Sequence, residues 1–412
     1  MPNDAIISYA EIPGPCPTAP PLRLDPDLSH HSGSRGFVAV FLLSMIGGYL
    51  LLVLINLLGN TSNLFPSPLQ PALTERAWKT RRLDALVRAH TPPDVIILGS
   101  SRVMQIRPSY VAALAGGTAF NYGVSAAGPV DWYAQIHYLI SHGAKPKMII
   151  LGVDEFCFGD ASSRWQLQNF GHAGLAWHLP TRDFFALLGG VLENVDPQNT
   201  RSSYHEMFKR SDDNPLNFSN RSEYVLSDGY MIYKHATDIA TIRAMALEFL
   251  KKNAADNDGA ATSITPRRTE MFDGLLDLCH DQGIQVRVML LPLHPEYARI
   301  IMSKQHLRKT WHDVAAYLAQ TCPKHNATFN NFSDPKSFGG DPNEFWDGAH
   351  VTAENARRMM NALFGLPPLQ MAAAFPSDDD LLNAQVPPMQ TSKKKARVRE
   401  KSSSTRRAAT TH

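Results

Sequence analysis

The sequence predicts an α/β fold, a doubly wound and mostly parallel sheet, preceded by one N-terminal transmembrane helix. Three observations lead there. Apolar runs at 94–98, 147–152 and 284–291 are short, rich in aliphatic and β-branched residues and bounded by Pro, Lys or Gly, as strands buried on both faces require. Helical-period patterns at 103–115, 128–142, 268–282 and 352–363 follow them, and strand, helix, strand is the order of a parallel sheet wrapped by helices. Residues Phe37 to Leu58 carry no charged side chain, and at about 1.5 Å per residue they reach roughly 33 Å, enough to cross a hydrocarbon core.

In chain order, residues 1–36 hold Pro13, Pro15, Pro17, Pro20 and Pro21 without periodicity and read as a disordered cytoplasmic tail. Residues 37–58 form the anchor. The run is too long for the apolar part of a signal peptide, starts too far into the chain and is followed by no Ala-x-Ala. Arg35 at its border favours an inside amino terminus. Residues 59–93 read as a linker and 94–365 as the main domain. An insertion at 160–265, with Trp165, Trp177, many Asn, Ser and Asp residues and a helical stretch near 237–251, breaks the alternation; long insertions of this kind act as lids or partner surfaces. Residues 366–412 read as a disordered basic tail. Eight Lys and Arg against Glu400 over 393–407 give a local +7, which leaves about −5 elsewhere against the whole-chain +2. That tail suits solvent, anionic lipid or polysaccharide; with no aromatic residue among its charges it is no platform for nucleic acid. With 412 residues and 44% hydrophobic content, a sizeable core is affordable and a wholly disordered chain is excluded.

The chemistry sits at two motifs. Leu98-Gly-Ser-Ser-Arg102 ends the first strand, and Asp347-Gly-Ala-His350 precedes a helix opening at Thr352 with Glu354 in its first turn. A serine hydroxyl is a weak nucleophile until an imidazole takes its proton, and the imidazole needs a carboxylate to fix its tautomer. Ser101, His350 and Asp347 supply one of each. Taken singly, the first motif is a chain reversal and the second a helix cap. An open α/β sheet can join them across the sequence, because its sites gather at the carboxyl ends of the strands. His294, in Leu290-Leu-Pro-Leu-His-Pro295, follows a strand and either orients substrate or simply hydrogen-bonds at the strand end. Cys16, Cys157, Cys279 and Cys322 have no metal-like spacing, and at most one disulfide fits among the three beyond the span. With no phosphate-cradling glycine loop and no His-rich cluster, no metal or cofactor is expected.

These motifs resemble the SGNH (GDSL-like) hydrolase family over about residues 94–365, in particular its membrane-anchored branch with a Gly-Ser-Ser start, which includes DltD-like and alginate-acetylation-like proteins. In Gly99-Ser100-Ser101-Arg102, Ser101 matches the family nucleophile and Ser100 replaces the usual Asp. Asn121-Tyr122-Gly123-Val124-Ser125-Ala126 is similar to Asn-x-Gly-x-Ser-Gly, with Ala126 where a glycine N–H faces the oxyanion. Gly152-Val153-Asp154-Glu155 puts Asp154 where the family offers an Asn, and Asp347-x-x-His350 matches without change. The resemblance implies an SGNH/flavodoxin-like fold, with the N–H groups of Ser101 and Ala126 holding the oxyanion and Asp154 beside it. An ionised carboxylate about 4 Å from that charge opposes it by roughly 4 kcal/mol at an effective dielectric of about 20. Asp154 must therefore be protonated, turned away or neutralised, and Arg102 is the nearest cation in sequence. The implied protein is a single-pass inner-membrane serine esterase or O-acyltransferase. Its periplasmic or extracellular domain would act on acyl groups of an envelope polysaccharide or another ester, and a membrane-bound acyltransferase is allowed as partner. The alternative is a catalytically weak glycan-binding or assembly component of an envelope polymer machine. An inward-facing lipid esterase follows if the orientation is reversed.

Overall fold

The computed structural model describes residues 32–59, 75–159, 223–233, 238–252 and 263–368, with isolated positions between 175 and 204 and between 378 and 381. The chain divides into two units, Met1–Val53 and Leu54–His412. Helix α1, Ser32–Gly59, carries the apolar segment Gly36–Asn56 with a mean hydropathy of 2.7. Those 21 residues are about 31 Å of helix, long and apolar enough to cross a membrane. A helix satisfies its own backbone polar groups, as hydrocarbon demands. It begins at Ser32, inside the segment expected as a tail; residues 1–31 lie outside the described residues.

Among the described residues beyond α1, the main unit has α2, Glu75–Arg88, followed by β1 (Val95–Leu98), a 3-10 turn (Ser101–Val103), α3 (Pro108–Ala115), β2 (Ala119–Asn121), α4 (Pro129–Ser141) and β3 (Met148–Val153). The hairpin β4 (Glu223–Val225) and β5 (Met231–Tyr233) comes next, then α5 (Ile239–Lys252), α6 (Pro266–Asp281) and β6 (Gln285–Leu290). The domain closes with α7 (Pro295–Ile301), α8 (Gln305–Lys324), β7 (Thr328–Asn331), a second 3-10 turn (Pro335–Phe338) and α9 (Ala353–Leu363).

Five strands pair in the order β2-β1-β3-β6-β7, every pair parallel. All four residues of β1 and all six of β3 are buried, so both faces are covered. On one face Ile96, Leu98, Ile149, Leu151, Val288 and Leu290 pack with Leu83 of α2, Trp132 and Ile136 of α4, Phe272 and Leu275 of α6, and Val314 and Leu318 of α8. On the other, Val95, Ile97, Met148, Ile150 and Met289 pack with Tyr110 and Val111 of α3 and Met359 and Met360 of α9. The period-2 alternation along each strand feeds two helical layers. The chain runs from β1 to β2 on one side and returns to β3 on the other, so its winding reverses at β1, and a crevice opens at the carboxyl end of that strand.

Three glycines make room there. A Cβ at Gly99 would lie 2.7 Å from the Gly152 carbonyl oxygen and from Val103 Cγ1, and its φ of +148° suits glycine. A Cβ on Gly123 or Gly152 would lie 2.4 or 2.3 Å from a Val103 methyl. The Val103 side chain therefore fills a slot left by the ends of β1, β2 and β3, under the serine turn. Gly152→Ala should cost about 1–3 kcal/mol by overpacking. Adding Val103→Ala should recover at least 1 kcal/mol relative to the sum of the single changes. Denaturant midpoints of the two singles and the double check this, and strict additivity refutes the slot.

Several sequence expectations need correction. The pattern at 103–115 yields a 3-10 turn and then a helix only from Pro108, because the residue before a proline is disfavoured in the helical region. The expected linker 59–93 contains α2, whose Arg76, Lys79, Thr80 and Leu83 are buried; residues 60–74 lie outside the described residues. Within the expected tail 366–412, Asp378 pairs with Arg107 and accepts from Tyr230 Oη at 3.1 Å, and Leu381 packs against Leu226, Tyr230 and Ile232. The basic run 393–407, Cys16, Trp165, Trp177 and most of the insertion 160–265 lie outside the described residues. Cys157, Cys279 and Cys322 are buried and form no disulfide among the described residues, and burial pushes Cys279 and Cys322 up to about 12.

Candidate active site

Ser100 and Ser101 separate into two roles at the end of β1. Ser100 is buried, and its Oγ accepts the Arg102 N–H at 3.2 Å, so it caps the 3-10 turn. Ser101 stands at the first turn position, with Oγ 2.7 Å from Nε2 of His350. Asn121 fixes this turn from the neighbouring strand. Its Nδ2 donates to the carbonyls of Val103 at 2.8 Å and Ile106 at 2.9 Å, while its Oδ1 accepts the Gly123 N–H at 3.0 Å.

His350 comes from a tight loop closed by the Phe345–Val351 bridge and by the Trp346 N–H, which donates to the His350 carbonyl at 2.8 Å. Asp347 Oδ1 accepts the N–H groups of Ala349 at 2.7 Å and His350 at 2.8 Å, and Oδ2 takes His350 Nδ1 at 2.7 Å. Burial raises the Asp347 carboxyl, but the His350 hydrogen bond and charge and the two backbone donors outweigh it and hold it at about 2. Asp347 is thus an anion that orients the ring, with Nδ1 carrying the proton and Nε2 accepting from Ser101.

Arg102 stitches the two halves together. Its Nη1 donates to Glu155 Oε2 at 2.6 Å, its Nη2 to the Pro292 carbonyl at 2.6 Å and its Nε to the Ala349 carbonyl at 3.2 Å. Burial opposes the guanidinium charge, yet Glu155 and then Asp154 raise its pKa. Asp154 Oδ1 lies 3.3 Å from Nη1, an ion-pair distance without hydrogen-bond geometry, and its side chain is 22% exposed. Asp154, expected beside the oxyanion, therefore turns toward Arg102. The shorter bond decides the energetics: Glu155→Gln should cost about 3 kcal/mol by breaking a buried pair, and Asp154→Asn under about 1 kcal/mol. Chemical unfolding of both variants tests this ordering, and the reverse order overturns it.

The pocket at Ser101 holds about 260 Å³ and is lined by Ser101, Ser125, Met231, Tyr233, Trp346, Asp347 and His350. The Tyr233 ring meets His350 edge-on at 6.0 Å and Trp346 at 6.5 Å. Met231 and Tyr233 arrive on the hairpin of the inserted region. That hairpin docks by Asn121 N–H to the Asp228 carbonyl at 2.9 Å and Met231 N–H to the Met104 carbonyl at 3.1 Å. Gln105, buried beneath, donates to the Met231 carbonyl and accepts Trp346 Nε1–H at 3.3 Å. No protein-family model matches this chain, and no curated protein does either.

Of the residues singled out from the sequence, Ser101, His350 and Asp347 come together, and Arg102 joins Asp154. Ala126 sits beside pocket-lining Ser125 with φ of +50°, the left-handed region where a glycine avoids Cβ strain. His294 does not line the pocket. Its Nδ1 caps α7 by accepting the Glu296 N–H at 3.1 Å, and its own N–H donates to the Gly348 carbonyl at 3.0 Å, steadying the His350 loop. Burial lowers its pKa against the pull of Glu296. Sequence reasoning missed Met231, Tyr233 and Trp346, and it quoted Ser125 and Glu155 within their motifs without giving either a role. Trp346 and Glu155 each adjoin a motif residue and were within reach; Met231 and Tyr233 lie in a three-residue strand that carries no motif. Among the described residues no group of three or more His, Cys, Asp and Glu is placed to hold a metal ion.

Proposed function

We propose that this protein is a serine esterase or O-acyltransferase of SGNH type, on a doubly wound α/β domain. The observation that carries the reading is the continuous chain Ser101 Oγ, His350 Nε2, His350 Nδ1, Asp347 Oδ2, with 2.7 Å at each hydrogen bond. It lies at the strand end where the winding reverses, where such sheets bind ligands. Ser101 Oγ attacks the ester carbonyl carbon while His350 Nε2 takes its proton. The tetrahedral oxyanion collapses, and His350 returns the proton to the departing alcohol. Water or a sugar hydroxyl then attacks the acyl-serine with the same imidazole as base. The N–H groups of Ser101 and Ala126 are the donors proposed for the oxyanion.

A pocket of about 260 Å³ is below the usual range of drug-sized sites, which suits a short acyl group such as acetyl, and its aromatic wall suits the face of a sugar. An acylated envelope polysaccharide is the substrate class we propose, with the domain held at the inner membrane on its periplasmic side. The test is a fluorophosphonate probe followed by peptide mapping. Adduct on Ser101 alone is expected, and an unlabelled protein that still binds glycan would leave a non-catalytic assembly component instead. A reporter fused after residue 70 should read as periplasmic; a cytoplasmic signal would overturn the location and the polysaccharide together.

A further inference from the structure

Helix α2 grips one wall of the pocket through polar groups. Ser125, which lines the pocket, donates its N–H to Glu75 Oε1 at 3.1 Å and accepts Arg76 Nη2 on its carbonyl at 2.7 Å. Two residues earlier, the Gly123 carbonyl accepts from Lys79 Nζ at 2.6 Å. The other nitrogen of Arg76 pairs with Asp131, whose second oxygen accepts the Gly128 N–H at 3.1 Å, and Thr80 Oγ1 and Tyr122 Oη share a hydrogen bond of 2.8 Å. Lys79 is fully buried and Arg76 nearly so. Burial pulls the Lys79 ammonium down to about 7 against the opposing charges of Glu75 and Asp228. Burial raises the Glu75 carboxyl, but its bond to Ser125 and the Arg76 charge more than offset that.

For attachment alone this is an expensive choice, because apolar residues of similar volume would bind the helix as well without taking charges out of water. What the polar face adds is direction. Each bond fixes which way one peptide unit of the loop points, and this loop faces the nucleophile. We infer that Glu75, Arg76 and Lys79 are positioning residues that hold the peptide units of Gly123–Ser125 as the pocket wall opposite Ser101, so that the first helix after the apolar span belongs to the reactive unit. The effect on rate rests on the serine-hydrolase reading; the effect on the loop rests on geometry alone.

The experiment uses the full-length protein in detergent micelles and two readouts: deuterium uptake of the 121–127 peptide and the second-order rate of fluorophosphonate labelling at Ser101. Glu75→Ala should raise uptake in that peptide while the rest of the domain is unchanged, and should slow labelling about tenfold or more, the scale of a small misplacement of reacting groups. Glu75→Gln keeps an acceptor oxygen in place and should hold both readouts within about twofold of wild type. Lys79→Met, of similar volume, should slow labelling about tenfold. If Glu75→Ala fails to fold, Glu75→Asp against Glu75→Gln gives the same contrast, since a carboxylate one methylene shorter falls back from Ser125. Unchanged uptake at 121–127 in Glu75→Ala, or raised uptake with wild-type labelling, overturns the inference. Raised uptake in a protein whose Ser101 never labels supports the clamp and removes the hydrolase reading instead.

Discussion

Ser101→Ala should abolish fluorophosphonate labelling and lower the turnover of a short-chain aryl ester roughly 10⁴- to 10⁶-fold, to the level set by binding and oxyanion donors alone. His350→Ala should cost about as much, and the double variant little more, because the three groups act as one unit. Asp347→Asn removes the acceptor that fixes the Nδ1 proton and should lose about 10⁴-fold. Ser100→Ala is the control. Its Oγ caps the turn at 3.2 Å, so about 1 kcal/mol of stability goes while most of the turnover stays. Equal labelling of wild type and Ser101→Ala, or additive losses for Ser101 and His350, would remove the triad.

The second large effect concerns where the folded unit begins. A chain starting at residue 62 keeps α2 and should be soluble, folded and reactive at Ser101. A chain starting at residue 92 keeps every predicted strand and all three triad residues, yet should not fold. Removing α2 loses four charge-assisted hydrogen bonds, on the Ser125 N–H, the Ser125 and Gly123 carbonyls and Asp131, at about 1.5–3 kcal/mol each. The lost burial of Leu83 adds about 1.5–3 kcal/mol. The total is of order 10 kcal/mol, comparable with the whole stability of a typical domain. Thermal melts and labelling of the two chains decide it; a folded, reactive chain from residue 92 would show that α2 is dispensable.

What was legible in the sequence follows from how each element meets its surroundings. The central strands β1, β3 and β6 announce themselves because burial on both faces demands unbroken aliphatic runs. β2 has three residues, and β7, Thr-Phe-Asn-Asn at the sheet edge, is half exposed and polar, so neither produces such a run. Helix α2 escaped because its buried side adds to Leu83 the polar Arg76, Lys79 and Thr80: Arg76 and Lys79 are partners for backbone carbonyls of a loop, and Thr80 for Tyr122 Oη. Ser101, His350 and Asp347 were readable since the chemistry proposed for them fixes their types, whereas Met231 and Tyr233 only shape a wall that many side chains could shape. Asp154 was placed beside Arg102 by charge logic, but the closer partner, Glu155, is one residue further, in the turn after β3 where no strand periodicity assigns a side chain's direction.

The separation of 249 positions between Ser101 and His350 also sets a clock. At about 5–20 residues per second of synthesis, Ser101 emerges roughly 12–50 s before His350, the base we propose for it. On the serine-hydrolase reading, the growing chain carries its nucleophile without a base throughout that interval, and a product cut short anywhere before Asp347 should stay chemically silent. On that reading reactivity arrives only with the last elements of the domain, so folding of the whole domain is the licence to react.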